Sequence, residues 1–109
     1  MRGLRGDEMS DDERAAIARE AKVIEERSRR HAREHHFVLN PDPKKLSLLF
    51  TALGRRKVRY GEFYCPCRIV TGLPEKDLPN RCPCEPHLRE VAANGHCLCE
   101  LFLRPDAAK

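Results

Sequence analysis

The spacing of small and apolar residues in the first third of the chain predicts one long helix. Such side chains recur at helical intervals along a thin stripe, at Ala16, Ile17, Ala21, Ile24 and Ser28. Ser10 followed by Glu13 forms a capping box at its start, and neither glycine nor proline interrupts residues 10–36. We therefore expect a helix from Ser10 to about His36 that packs on the domain through a narrow buried seam.

A second helix is predicted after the turn Asn40-Pro41-Asp42-Pro43. Asp42 is a natural N-cap, and Pro43 suits the first helical position. The next apolar residues share one helical face: Leu46, Leu49, Phe50 and Leu53. Gly54 is predicted to end this helix.

The second half of the chain is divided by turn-forming residues. A loop with at most one helical turn is predicted around Gly72, Pro74, Pro79 and Asn80. A short helix is predicted from Glu85 to Ala93, and the apolar segment Glu100–Leu103 is expected to pack back on the core.

Strand patterns are weak throughout, so the predicted fold class is mainly α, a small and compact helical domain. The length of 109 residues suits one domain. We assign residues 1–36 to an N-terminal helix packed on the domain and residues 37–109 to its main region.

The composition limits both the core and the compartment. With 35% charged and 6% aromatic residues, we expect a small apolar core. A metal centre would then help to stabilise the fold. No apolar run approaches the roughly 20 residues of a membrane span, and no secretory signal is visible. We expect a cytoplasmic protein, in which cysteines serve as metal ligands or redox thiols sooner than as a disulfide scaffold.

The net charge of +4 is concentrated in residues 37–60, which carry six basic side chains and one acidic side chain. Within this part lies the basic run, defined here as Arg55, Arg56, Lys57 and Arg59. It is either a solvated surface or a docking surface for an acidic partner. The few aromatic residues are not interleaved with it, which argues against a nucleic-acid site.

Six cysteines lie in three Cys-x-Cys pairs: Cys65-Pro66-Cys67, Cys82-Pro83-Cys84 and Cys97-Leu98-Cys99. Fourteen residues separate the first two pairs and twelve separate the last two. An even number of thiols confined to one third of the chain indicates a single soft-ligand site.

Three interpretations of these thiols remain open. A zinc site in a binding module needs four cysteines and leaves two, and an iron–sulfur electron carrier does the same. Four ligands together with a two-cysteine redox pair use all six. Spacing alone does not select which two cysteines form that pair.

Several motifs together resemble the catalytic (β) subunit of ferredoxin:thioredoxin reductase, and more closely its stand-alone bacterial and archaeal members. The motifs are Asn40-Pro41-Asp42-Pro43, Arg59-Tyr60-Gly61, Tyr64-Cys65-Pro66-Cys67-Arg68, Cys82-Pro83-Cys84 and Cys97–Leu103. The resemblance implies a helical fold wrapped around one 4Fe–4S cluster beside a redox-active disulfide. It assigns the cluster to Cys65, Cys82, Cys84 and Cys97, and the disulfide to Cys67 and Cys99.

The same resemblance implies an enzyme that passes electrons one at a time from ferredoxin to thioredoxin or a thioredoxin-like protein. It makes Cys67 the attacking thiol, and ferredoxin the acidic partner expected at the basic run. The small variable subunit of plant-type enzymes is a possible further partner.

The third pair departs from the plant-type pattern Cys-His-Cys, because Leu98 stands where the family histidine handles protons. We predict that His96 replaces it, with His87 the weaker candidate and an ordinary surface residue. His31 and His35 share a helical face, but no third ligand is in view, so we attribute them to the negative end of the helix dipole.

Overall fold

The computed structural model describes residues 10–108. Its helices are α1 Asp11–His35, α2 Pro43–Tyr60, α3 Pro74–Asp77 and α4 His87–Asn94. Its strands are β1 Val38–Leu39 and β2 Phe102–Leu103, and 3-10 turns span Leu78–Asn80 and Pro105–Ala108. The mainly helical fold class is confirmed. Within residues 10–108, none of the helices combines the length and the apolarity needed to cross a membrane.

The first helix begins and ends close to where the sequence predicts. The Ser10 hydroxyl accepts a hydrogen bond from the Glu13 amide at 3.1 Å, which caps α1. At the other end His36 takes a left-handed conformation, φ 59°, and its amide reaches carbonyls of the last turn. The buried side chains of α1 form a narrow seam, Ile17, Ile24, Ser28 and Ala32, and the rest of the helix faces solvent or is half-buried.

The second helix is longer than predicted, because Gly54 lies in its interior. Asp42 caps α2 by accepting from the Lys44 amide at 3.0 Å, and the helix ends at Gly61, with φ 84°. A Cβ atom at Gly54 would lie 2.6 Å from the Ile17 carbonyl oxygen and 3.0 Å from the Ala21 amide nitrogen. Gly54 therefore serves the close approach of α1 and α2, and the basic run lies on the last turns of α2.

We expect Gly54→Ala to leave the protein folded but to lower its free energy of unfolding by roughly 1–3 kcal/mol. Alanine is the better helix former by about 1 kcal/mol, yet the atoms that its methyl group would meet belong to the backbone of α1 and cannot swing aside. Urea unfolding measures the change, with Thr51→Ala on the exposed side of α2 as the control. A Gly54→Ala protein as stable as the parent would contradict this account of the helix contact.

A two-stranded antiparallel sheet joins the turn before α2 to the end of the chain. Val38 pairs with Leu103, and Leu39 pairs with Phe102. Asn40 extends this contact, because its side-chain amide donates to the Glu100 carbonyl at 3.0 Å. The sheet was not predicted, but the expected packing of Glu100–Leu103 is confirmed for its last three residues, which are buried.

The segment between the first two cysteine pairs is compact. It holds α3 and one 3-10 turn, slightly more helix than the single turn that the sequence predicts. The buried Asp77 carboxylate accepts from the amides of Thr71 and Gly72 and from the Thr71 hydroxyl, at 2.8–2.9 Å. These bonds lower the pKa of Asp77 and close the loop that follows Cys67. The short helix predicted from Glu85 to Ala93 is present as α4.

Candidate functional site

Backbone hydrogen bonds place the first two cysteine pairs side by side. The Cys65 amide donates to the Asn80 carbonyl, and the Cys82 amide donates to the Phe63 carbonyl, each at 2.7 Å. Tyr64 and Arg81 form an antiparallel bridge between the same two segments. The Cys82–Pro83 peptide is cis. The fourteen residues between these pairs thus return the chain to its starting point.

The third pair is held by the chain that follows it. The Cys97 amide donates to the Phe102 carbonyl at 3.1 Å, and the Glu100 amide closes a turn onto the Cys97 carbonyl. The Cys97 and Cys99 sulfur atoms lie 3.9 Å apart. Because Phe102 belongs to β2, this pair is anchored to the buried sheet.

All three pairs meet in one cluster of thiols. Cys84 and Cys99 lie close enough to Cys65 to lower its pKa, and Cys99 lies close enough to Cys67 to affect its pKa. Five of the six cysteines are buried, and Cys67 alone is exposed. Within residues 10–108, no three Cys, His, Asp or Glu side chains are arranged as a metal ion would require.

The six thiols differ in how readily each loses its proton, because the pKa is lowered for Cys65 and Cys97 and raised for the other four. Hydrogen bonding from Cys84 is the largest cause that lowers the pKa of Cys65, to about 3, and bonding from Cys99 lowers the pKa of Cys97 to about 6. The same bonds raise the pKa of Cys84 and Cys99, and burial raises that of Cys82. Such a set becomes fully deprotonated only around positive charge, so its chemistry fits thiolate ligation of iron.

Hydrogen-bond donors also reach the sulfur atoms. The Phe102 amide lies 3.4 Å from the Cys97 sulfur, and Arg68 Nη2 lies 3.6 Å from the Cys84 sulfur. Arg68 also pairs with Glu90 at 2.7 Å, and both side chains are about four-fifths buried. Glu90 in turn accepts from the Leu98 amide at 3.2 Å. This ion pair therefore connects all three cysteine segments.

The exposed thiol lies in a basic cavity of about 520 Å³. Four arginines line it, Arg55, Arg56, Arg59 and Arg68, together with Tyr60 and Ile69. Burial raises the pKa of Cys67, and the charge of Arg68 opposes that shift only as a smaller effect. Three of the four members of the basic run thus line the cavity into which Cys67 opens.

His87 and His31 lie in environments that the sequence did not predict. His96 is half-buried, and its Nδ1 bonds to the Cys97 carbonyl at 2.8 Å. The prediction that His87 is a surface residue is wrong, because the fold buries it to 6% exposure. Its Nδ1 donates to the Cys84 carbonyl, and its Nε2 lies 2.8 Å from Nε2 of His31.

His87 is therefore a third histidine beside His31 and His35 of α1. The sequence did not predict this contact. The His31 and His35 rings are in tilted contact with their centroids 4.2 Å apart, and Phe102 packs against His31 and His87. Burial is the main cause that lowers the pKa of His31, to about 4. His31 and His87 together act as neutral packing groups that connect α1 to the carbonyl of Cys84.

The family model for the ferredoxin thioredoxin reductase catalytic beta chain matches residues 14–109. The chain belongs to this family. The match covers most of α1 as well as the three cysteine pairs, and so extends beyond the motifs, which begin at Asn40. No curated protein matches the chain.

Membership supports a role as a disulfide reductase, and the family name implies ferredoxin and thioredoxin as partners. The ferredoxin thioredoxin reductases are iron–sulfur enzymes, which agrees with the donor set described above. The assignment of individual cysteines as ligands or as redox thiols stays a prediction.

Proposed function

We propose that this protein is an iron–sulfur disulfide reductase that takes electrons one at a time from ferredoxin and reduces thioredoxin or a thioredoxin-like protein. The observation that carries the proposal is the contrast between Cys67 and Cys99. The Cys67 thiol is exposed in a cavity, and the neighbouring Cys99 thiol is buried among the other sulfur atoms. An accessible attacking thiol beside a shielded resolving thiol is what disulfide exchange requires.

The residues that would hold the 4Fe–4S cluster are Cys65, Cys82, Cys84 and Cys97, all of them buried. When bound, the cluster supplies a store for a single electron next to the disulfide, which matches a one-electron donor to a two-electron bond. The N–H groups of Phe102 and Arg68 that point at Cys97 and Cys84 would tune the potential of the site.

The thiols carry out the exchange in two balanced steps. The Cys67 thiolate attacks one sulfur of the substrate disulfide, so that a mixed disulfide forms while the substrate bond breaks and its other sulfur leaves as a thiolate. The Cys99 thiolate then attacks the Cys67 sulfur and releases the second substrate thiol. The enzyme is left with a Cys67–Cys99 disulfide, and two electrons and two protons, the electrons from ferredoxin, restore its dithiol.

Proton transfer in this scheme is assigned to His96. Its Nδ1–H donates to the Cys97 carbonyl, which leaves Nε2 as the ring nitrogen that can exchange a proton. Leu98 is 46% exposed and carries no titratable group. The imidazole beside the pair therefore takes over the role that the family histidine has between the cysteines.

Anaerobic purification tests the proposal against the two other classes. We expect a brown protein with four irons, two titratable thiols after mild reduction that spares the cluster, and ferredoxin-dependent reduction of thioredoxin. Bound zinc without iron would indicate a binding module instead. Four irons without the two extra reactive thiols, and without thioredoxin reduction, would indicate a simple electron carrier.

A further inference from the structure

The cavity beside Cys67 is positively charged. Arg55, Arg56 and Arg59 contribute from the last turns of α2, and Arg68 contributes from the residue after Cys67. None of the described residues that line it is acidic. A partner that reaches Cys67 therefore meets guanidinium groups before it meets any carboxylate.

The contacts of Arg68, Arg56 and Arg55 neutralise their charges to different extents. Glu90 pairs with Arg68 at 2.7 Å. Arg56, however, donates to the uncharged Pro66 carbonyl, at 3.4 Å, and lies 5.9 Å from the centre of the Tyr60 ring. The buried Arg55 Nε–H has no hydrogen-bond partner among the described residues, so no carboxylate neutralises it at this atom.

Apolar groups surround the same thiol. Ile69 is 81% exposed and Tyr60 is 53% exposed, and both line the cavity. Exposed Tyr, Arg and aliphatic side chains around one point are typical of the energetically important centre of a protein–protein interface. A small hydrophilic disulfide gains no binding free energy from covering this apolar surface. A protein partner does, so the surface favours a protein as the substrate.

We propose that this cavity docks a thioredoxin-like substrate whose reactive disulfide is bordered by acidic side chains. The inference rests on the proposed function and names the chemical class of its partner. During exchange a substrate sulfur must come within bonding distance of Cys67, so the substrate covers the surrounding arginines. The basic run accordingly serves the disulfide substrate, and not the electron donor that the sequence suggests for it.

The test uses the cluster-loaded protein reduced with dithionite, so that no ferredoxin is present. Its single-turnover reaction is followed with a thioredoxin that carries acidic residues beside its disulfide, and with the same thioredoxin after those residues are changed to Asn or Gln. Arg59→Glu should slow the acidic thioredoxin about tenfold at low salt and change the neutralised one less than twofold. The difference should vanish near 1 M salt, where the screening length is about 3 Å.

Lys44→Glu is the matched control, because it makes the same change in charge near the start of α2, about 22 Å along the helix from Arg59. It should leave both rates unchanged. Arg56→Gln, which keeps the side-chain length and removes the charge, should reproduce part of the effect.

Four outcomes would overturn the inference. In a separate assay with ferredoxin, slower reduction of the Arg59→Glu enzyme with unchanged substrate exchange would assign the basic run to the donor. Slowing of only a small anionic disulfide such as dithiobis(nitrobenzoate) would exclude a protein partner as the reason for the charge. Equal reduction of both thioredoxins by every variant would remove the acidic preference but keep the proposed function, whereas no reduction of either by the unmodified protein would remove both.

Discussion

Cys67→Ser should abolish the reduction of thioredoxin, whereas Cys99→Ser should stop the reaction at a covalent complex. Both variants should keep the iron–sulfur cluster, because neither residue is assigned as a ligand. Cys67 is the exposed thiol and Cys99 is buried, so only Cys67 can reach a substrate disulfide. Without Cys99 nothing resolves the mixed disulfide that Cys67 forms.

The measurement uses a thioredoxin with a single active-site cysteine, activated as a mixed disulfide with thionitrobenzoate. Release of thionitrobenzoate reports attack, and mass mapping of the covalent complex identifies the sulfur that attacked. In the unmodified reduced protein, alkylation should modify Cys67 first. An adduct on Cys99, or turnover by both single variants, would show that the two roles assigned here are wrong.

The largest effect on stability is expected from the four cysteines assigned to the cluster. Serine at Cys65, Cys82, Cys84 or Cys97 should eliminate bound iron and leave the cysteine-bearing half of the chain unfolded. Binding free energy at structural metal sites is of the order of 10 kcal/mol, as large as the whole stability of a small domain, about 5–15 kcal/mol. Each substitution also buries a hydroxyl where a sulfur belongs.

Iron content, visible absorption and thermal unfolding measure this effect together. Cys67→Ser is the matched control, since it makes the same atomic change two residues from Cys65 and should keep full iron. A stable protein with full iron content from any of the four ligand variants would overturn the ligand assignment for that position.

Helix boundaries in this chain are predictable where a local side chain creates them. The Ser10 hydroxyl and the Asp42 carboxylate satisfy backbone amides within three residues, and Gly95 ends α4 in a left-handed conformation. Each of these signals acts over one turn, so the sequence alone contains the whole interaction.

Predictions failed where the deciding contact comes from a distant part of the chain. Gly54 is a common helix terminator, but here its missing side chain admits the backbone of α1. His87 lies 56 residues from its partner His31, and β1 is only two residues long. No local pattern can encode such pairings, because burial is determined by the packed neighbours.

The candidate site, like the fold, could be predicted from the sequence only in part. The three Cys-x-Cys pairs and their spacing indicate one cluster of thiols, and the fold does bring the six together. The sequence cannot say which thiol is accessible, because that depends on how the loops cover each sulfur. Only the resemblance to the family separated Cys67 from the others before the structure did.

The contact between α1 and Cys84 limits how far the protein can be shortened. The conspicuous motifs begin at Asn40, which makes a version without the first 36 residues attractive for engineering. Such a protein would lose Ile17 and Ile24 from the core. It would also expose the surface of α2 around Gly54 to solvent and remove the His31 imidazole that contacts His87. The N-terminal helix is thus part of the smallest unit that can be expected to assemble the cofactor.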